Sequence, residues 1–295
     1  MKYRFIKQYR SEHCVQKMCR VLKVSRSGFY QWLKEKRSQR AHENEELLEE
    51  IRKIHSDPDM ENYGSPRMAD ELSDRSFSCS TARVARIMKA NNIRSKVKRK
   101  FKVTTDSDHQ KESSPNLLQQ DFRVDAPNKV WVSDLTYVWT YEGWLYLTTV
   151  LDLFHRKIVG WAMSNRMHSA VTTEKALEQA YKREHPLEEL IFHSDRGIQY
   201  ASDSFREKLS GYGMIQSMSG KGNCYDNAVA ESFFKTIKTE HIYKYKYRTR
   251  KEARQSIFQY IEYFYNRQRK HSYLGNISPD QFLMKYSMKF MKETA

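Results

Sequence analysis

The chain has 295 residues, 39% of them hydrophobic, with 14 Phe, 19 Tyr and 5 Trp, which is enough for a sizeable core and about two domains. Lys and Arg exceed Asp and Glu by 52 − 36 = +16, a surplus that suits a polyanionic partner, nucleic acid before an anionic membrane surface. No apolar run approaches the roughly 18 residues of a membrane-spanning helix, and the start, "MKYRFIKQYRSEHC", has no apolar signal segment, so the expected location is the cytoplasm.

Residues 1–38 read as short helices forming a helix-turn-helix-like segment. Val15, Met18, Cys19 and Leu22 follow helical spacing, and in "KVSRSGFYQWL" Ser25 or Ser27 caps a helix carrying Phe29, Tyr30, Trp32 and Leu33. A helical hairpin that only packs has the same pattern. Cys14, Cys19, Cys79 and Cys224 form no CxxC pair; they read as free thiols, and His13 with Cys14 and Cys19 is the nearest approach to a zinc set. Residues 39–102 read as a second helix-turn-helix-like domain. Its acidic helix over 41–56 has Leu47, Ile51 and Ile54 on one stripe, the next begins at Pro66, and a third is capped near Ser80. That third helix turns Val84, Ile87 and Met88 inward and Arg83, Arg86 and Lys89 outward. It runs into "RSKVKRKFK", where Arg94, Lys96, Lys98, Arg99, Lys100 and Lys102 make six of nine residues basic. A basic run after a candidate recognition helix points to DNA contact.

Residues 103–125 are polar and aperiodic and read as a linker. Over 126–242 the texture changes to "KVWVSDLTYVW", "WLYLTTVLDLF" and "KIVGWAM", an antiparallel meander, followed by alternating helices and strands and a long helix from about Asn227. This order predicts an α/β core with an RNase-H-like mixed sheet flanked by helices, preceded by the all-α segments. Residues 243–295 read as a basic helical extension. The stretch 235–270 has eleven Lys or Arg and three Glu, interleaved with Tyr243, Tyr245, Tyr247 and Tyr260. That mixture suits DNA contact, although Ile257, Ile261 and Phe264 mark a packing face.

Three carboxylates stand out. Asp134 lies inside a strand, on the face of Val130, Val132 and Thr136, where a charge is costly unless a cation pairs with it. Asp195 follows the apolar strand "LIFH" at its carboxyl end, where α/β sheets place their sites. Glu231 shares a helix side with Asn227, Lys235 and Lys238, opposite Val229, Phe233 and Ile237. Spacing does not select them. Asp195 and Glu231 have 35 residues between them, but so do Asp106 and Glu142, Asp152 and Glu188, and Asp226 and Glu262. Asp226 reads more simply as a helix cap. Three acids suit two Mg²⁺ (or Mn²⁺) ions, which neutralise the entering and leaving oxygens of a phosphodiester displacement. Arg196, Lys221, Asn223, Asn227 and Lys238 then stand beside the acids as candidate grips on the DNA strand.

The blocks "WVSDLTYV", "HSDRGIQYAS" and "DNAVAESFFKTIKTE" resemble the three acidic blocks of the retroviral-integrase-like DDE superfamily. Within it the chain is most similar to bacterial insertion-sequence transposases encoded by the second frame of a two-frame element. "YGSPRMADEL" resembles that family's amino-terminal helix-turn-helix and "YIEYFYNRQRKHSYLGNISPDQF" its carboxyl-terminal block. The resemblance implies an RNase-H-like core with Asp134, Asp195 and Glu231 as catalytic metal ligands and Lys238 as a DNA-contacting lysine. It also implies strand cleavage and strand transfer on the element's terminal inverted repeats and target DNA, by a homo-oligomer and with the first-frame protein as partner or fusion. A DNA-binding regulator with a vestigial core and an RNase-H-type nuclease are the rivals. If DNA is the partner, affinity measured by fluorescence anisotropy should fall steeply and linearly on a log–log plot against salt, with a slope that counts the neutralised phosphates.

Overall fold

The computed structural model describes residues 2–34, 39–96, 113–166, 172–221 and 223–293. The chain divides into two compact units. The first comprises residues up to Asp57 together with Tyr63–Arg94, and the second comprises Pro58–Asn62 with the residues from Ser95 onward.

The first unit is helical. α1 (Lys2–Tyr9), α2 (Val15–Val21) and α3 (Arg26–Lys34) bury Ile6, Met18, Cys19 and Phe29 together. Ser25 caps α3, its hydroxyl accepting from Gly28 N at 3.2 Å. α4 (Gln39–Ser56) buries the expected Leu47, Ile51 and Ile54. α5 (Ser65–Asp74) has its proline in the first turn, and α6 (Thr81–Ala90) is capped by Ser80, which accepts from Arg83 N at 3.3 Å. On α6, Val84 and Met88 are buried and Ile87 only half-buried. Arg83 does not point outward as expected: it reaches α4, donating to Asn44 Oδ1 and Glu43 Oε2, both at 2.9 Å.

The second unit is built on a five-stranded sheet of order β3-β2-β1-β4-β5. β1 (Val130–Thr140), β2 (Gly143–Asp152) and β3 (Ile158–Ser164) form the antiparallel meander, and β4 (Ile191–Ser194) and β5 (Ile215–Met218) continue it in parallel beyond β1. α7 (Thr173–Glu184) and α8 (Asp203–Gly211) make the crossovers, packing over Trp131, Val150, Val159, Phe192 and Tyr200. Gly160 lies so close to α7 that a Cβ there would overlap the Ala176 carbonyl and Ala180. α9 (Ala228–Glu240) packs on β1. This mixed sheet with flanking helices is the RNase-H-like fold.

Two segments depart from their expected character. Residues 113–120 of the expected linker lie along the β5 edge. Met218 N donates to the Pro115 carbonyl at 3.3 Å, Leu117 N to Ser217 Oγ at 2.9 Å and Ser114 Oγ to Gln216 at 2.8 Å, while Leu118 is buried. An edge strand leaves backbone groups unpaired, and this strap satisfies part of them. The basic extension covers the opposite edge. α10 (Arg250–Gln259) widens into π-helical turns over Tyr260–Tyr265, which bury Tyr260, Ile261, Phe264 and Tyr265. Asn266 then pairs with both backbone groups of Ile158 in β3, at 2.9 and 3.0 Å, and α11 (Pro279–Glu293) follows. Much of the extension's charge is therefore used internally. Arg254 donates to the Met163 carbonyl, Arg250 to the Trp144 carbonyl, and Lys244 pairs with Glu61.

The tie between α9 and this extension is a buried ion pair. Arg269 grips Glu240 with two bonds, at 2.6 and 2.7 Å, and Tyr260 donates its hydroxyl to the same carboxylate at 3.0 Å. Breaking such a pair from one side strands a buried charge. Arg269→Met is expected to lower unfolding free energy by about 3–5 kcal/mol, read from urea denaturation.

Candidate active site

The site forms where the β1–β4 ladder ends. The two strands run parallel with Val130 opposite Ile191 and Ser133 opposite Ser194. Carried one residue further, that register sets Asp134 beside Asp195, on strands about 4.8 Å apart. Asp134 Oδ1 accepts from Leu135 N at 2.7 Å, and Asp195 Oδ1 from Gly197 N at 2.9 Å. Gly197 passes so near that a Cβ would lie 3.0 Å from the Asp195 carboxylate, so the turn after β4 favours a glycine there.

Glu231 is solvent-exposed and lies within electrostatic reach of both aspartates. Burial, then the neighbouring Asp195, holds the Asp134 carboxyl well above its usual range, and Glu231 adds to the effect; Leu135 N and Lys238 oppose it. Burial and Asp195 push Glu231 up as well. Burial lowers the Lys238 amine, with Asp134 opposing. Each is the response of a group placed among like charges or out of water. Asp134, Asp195, Glu231 and Lys238 thus share one electrostatic site. Among the described residues no three His, Cys, Asp or Glu side chains are grouped closely enough to hold a metal ion.

Ser133 ties the three acidic segments together. Its hydroxyl donates to the Thr149 carbonyl at 2.9 Å and lies 2.8 Å from the hydroxyl of Tyr200, five residues after Asp195. Its carbonyl accepts from Asn227 Nδ2 at 3.1 Å, four residues before Glu231. All three side chains are buried. A second hub lies behind Glu231. Asp226, expected as a helix cap, is instead buried and accepts from Gly220 N, Asn223 Nδ2, Asn116 Nδ2 and Gln120 Nε2, at 2.7–3.0 Å. The cap of α9 is Asn227, which makes no side-chain capping bond. The loop carboxylate is drawn to the strap's amides because a buried charge needs several donors.

The remaining residues singled out from the sequence fall into several groups. Lys238 is half-buried beside Asp134, whereas Lys235 is exposed. α9 buries Ala230, Phe233, Phe234 and Ile237, so the stripe follows the 3.6-residue period instead of the four-residue step through the half-buried Val229. Asn227 faces the sheet and not the surface. Arg196 donates through Nε to the Ser219 carbonyl at 2.7 Å, and Asn223 caps the short helix before α9 by accepting from Tyr225 N at 3.1 Å. Lys221 is exposed. Arg86 and Arg94 are exposed, and Lys96 pairs with Glu61 at 2.6 Å. Lys98, Arg99 and Lys100 lie outside the described residues.

The competing carboxylates sit elsewhere. Asp152 accepts from Asn128 N, Trp131 Nε1 and Phe154 N in the β2–β3 turn, and Glu188 is exposed. Glu142 accepts from Arg250 N, and Glu262 pairs with Arg183 and Trp161. Asp106 lies outside the described residues. Sequence reasoning missed Ser133 and Tyr200. A small hydroxyl preceding Asp134 in an otherwise bulky strand was the available signal.

Models of known families match three stretches: an integrase core domain over residues 124–224, an HTH-like domain over 42–101, and an integrase core domain again over 212–279. An RNase-H-like integrase core with an amino-terminal helix-turn-helix-like region marks a DNA transposase or integrase. The chain is 47% identical over 269 residues to the insertion element IS600 uncharacterized 31 kDa protein of Shigella sonnei, covering 91% of this chain and 98% of that one. It is 39% identical over 288 residues to transposase InsF for insertion sequence IS3A of Escherichia coli (strain K12), covering 96% and 98%. The chain belongs to this family, the insertion-sequence transposases of the InsF type, and is a DNA transposase/integrase of an insertion sequence. Among solved structures, a chain of the simian T-cell lymphotropic virus intasome in complex with PP2A regulatory subunit B56 gamma matches at 15% identity and a TM-score of 0.45, covering 79% of this chain and 73% of that one, too loose a likeness to carry an argument.

The Ser133 node generates a specific expectation. Tyr200→Phe and Asn227→Ala should each slow DNA strand joining about 10- to 100-fold, the cost of small displacements of reacting groups. Duplex binding, read by anisotropy on the same samples, should stay unchanged.

Proposed function

We propose that Asp134, Asp195 and Glu231 are the catalytic carboxylates and that they hold two divalent cations, Mg²⁺ or Mn²⁺. The observation that carries this reading is the meeting of β1 and β4, whose parallel register ends at Ser133 and Ser194, directly before Asp134 and Asp195. Asp195 and Glu231 both raise the proton affinity of Asp134, a concentration of acid that a divalent cation relieves. The donor set fits a hard cation. All three candidate ligands are carboxylates, the donors that suit Mg²⁺, which keeps waters and takes substrate oxygens. When bound, such ions supply charge neutralisation on the entering and leaving oxygens of an in-line phosphodiester displacement.

The chain's own residues do the rest. The β1–β4 register and the Ser133 node fix the positions directly before Asp134 and Asp195, and α9 carries Glu231 within their electrostatic reach. Lys238 offers its ammonium to the phosphate of the strand being cut. Water attacks a phosphodiester at the element end and breaks its P–O3′ bond; the freed 3′-hydroxyl then attacks a phosphodiester of a second strand or of the target, and the new P–O bond forms as that strand's own 3′-hydroxyl leaves. The helical first unit supports reading of duplex DNA by α5 and α6, with Arg86 and Arg94 exposed for phosphate contact. A homo-oligomer on DNA and a first-frame partner complete this reading.

Strand-joining assays in Mg²⁺ test it. Asp195→Asn keeps the side chain's shape and should lower joining by more than about a hundredfold, beyond the loss seen when a metal's outer partners change, with duplex binding retained. Equal joining by variant and wild type would overturn the assignment and favour a regulator with a vestigial core. Cleavage of RNA–DNA hybrids but not of duplex ends would favour a hybrid nuclease.

A further inference from the structure

Beyond Asp134, β1 leaves β4 behind and its hairpin with β2 carries a row of large aromatic rings. Trp139 stands opposite Trp144, and Tyr137 opposite Tyr146, and directly opposed residues share a face. Their rings interlock. Tyr137 and Trp144 have centroids 4.9 Å apart at 78°, and Trp139 and Trp144 have centroids 4.8 Å apart at 72°. Yet the rings are open to solvent: Trp139 is 56% exposed, Trp144 43% and the neighbouring Tyr141 68%. Burying an aromatic ring is among the largest apolar gains open to a fold, so an exposed cluster of this size marks a contact surface.

Charge and position identify the occupant. The Lys238 ammonium sits 5.7 Å from the Tyr137 ring centroid, and Lys238 follows Glu231 by two turns on the same side of α9, so one lysine links the aromatic hairpin to the helix that carries the third acid. Arg250 binds the Trp144 carbonyl at 3.1 Å, its backbone N–H meets the single acid of the hairpin tip, Glu142, and the exposed Lys246 lies beside Tyr247, which pairs with Thr140 at the end of β1. Aromatic rings with a cationic border suit a nucleic-acid strand whose bases are free to stack. A paired duplex keeps those base faces covered by its own neighbours. At about 3.3 Å per strand residue, Tyr137 and Trp139 lie about 10 and 17 Å beyond Asp134 along the strand axis, at positions that alternate with it and so project from the other face of β1. A stacked strand advances about 3.4 Å per nucleotide.

We propose that Tyr137, Trp139 and Trp144 form a stacking platform for unpaired bases of the DNA strand processed at Asp134, about three to five nucleotides from the reacting phosphate. This inference rests on the assignment of Asp134 to the reaction site. It adds that the substrate is bound with its end opened, not as a fully paired duplex.

The test uses the full chain, a blunt duplex, and the same duplex carrying an unpaired oligothymidine tail, with binding read by anisotropy. Trp139→Ala and Trp144→Ala should weaken binding of the tailed duplex by about 5- to 150-fold, the range for one lost base stack. Blunt-duplex binding should hardly change, and Trp139→Phe should restore most of the loss. Melting curves matching wild type confirm that the exposed substitutions leave the fold intact. Equal effects on both DNAs, or on neither, would overturn the platform. So would a loss of self-association in sedimentation, which would assign the face to a second copy of the chain. A wild type that joins DNA ends but shows no preference for the tail keeps the transposase reading and loses this one.

Discussion

Two like-charged side chains held side by side at the end of a parallel ladder are the constraint that the second unit is built around. Asp134 and Asp195 repel, and burial makes the repulsion worse. Left to themselves, strands would move such groups apart. The register of β1 and β4 forbids it, because Ser133 and Ser194 are already paired one residue before. Ser133 also binds Tyr200 and Asn227, so the turn after β4 and the start of α9 are held to the same point. The energy that keeps the acids together comes from backbone pairing and buried hydrogen bonds, not from the acids.

The same logic extends outward. Asp226 gathers four donors and holds the loop before α9 against the strap of residues 113–120. At the other end of α9, Arg269 and Tyr260 fix Glu240. Glu231 thus rides on a helix anchored at both ends.

The +16 net charge is spread over two jobs. Arg83, Arg254, Arg269 and Lys244 are bound to acceptors within their own units, whereas Arg86, Arg94 and Lys246 are exposed. A count of basic residues does not separate these groups. An arginine in a stripe of alternating Tyr and Lys looks the same in sequence whether it meets a phosphate or a buried glutamate 29 residues away. Within the stretch 235–270, Lys244, Arg254 and Arg269 find acceptors remote in the chain, and the expected packing face of Ile257, Ile261 and Phe264 is buried.

Much of the architecture is legible locally. The alternating β-branched and aromatic runs declare the meander, Ser25, Ser80 and Pro66 mark helix starts, and the apolar run ending at Asp195 marks a strand's carboxyl end. The equal gaps in four Asp–Glu pairs show why spacing could not choose the site. What the sequence by itself determined is the order of elements, the strand-interior position of Asp134 and the family blocks around the three acids, because those depend on short-range periodicity and composition. Only the tertiary structure decided that Asp134 and Asp195 directly follow the paired Ser133 and Ser194, that Asn227 and Asp226 are buried, and that Trp139 and Trp144 form one exposed face. Each of these depends on which strands and loops meet, and that is set by hydrogen-bond register between segments remote in the chain.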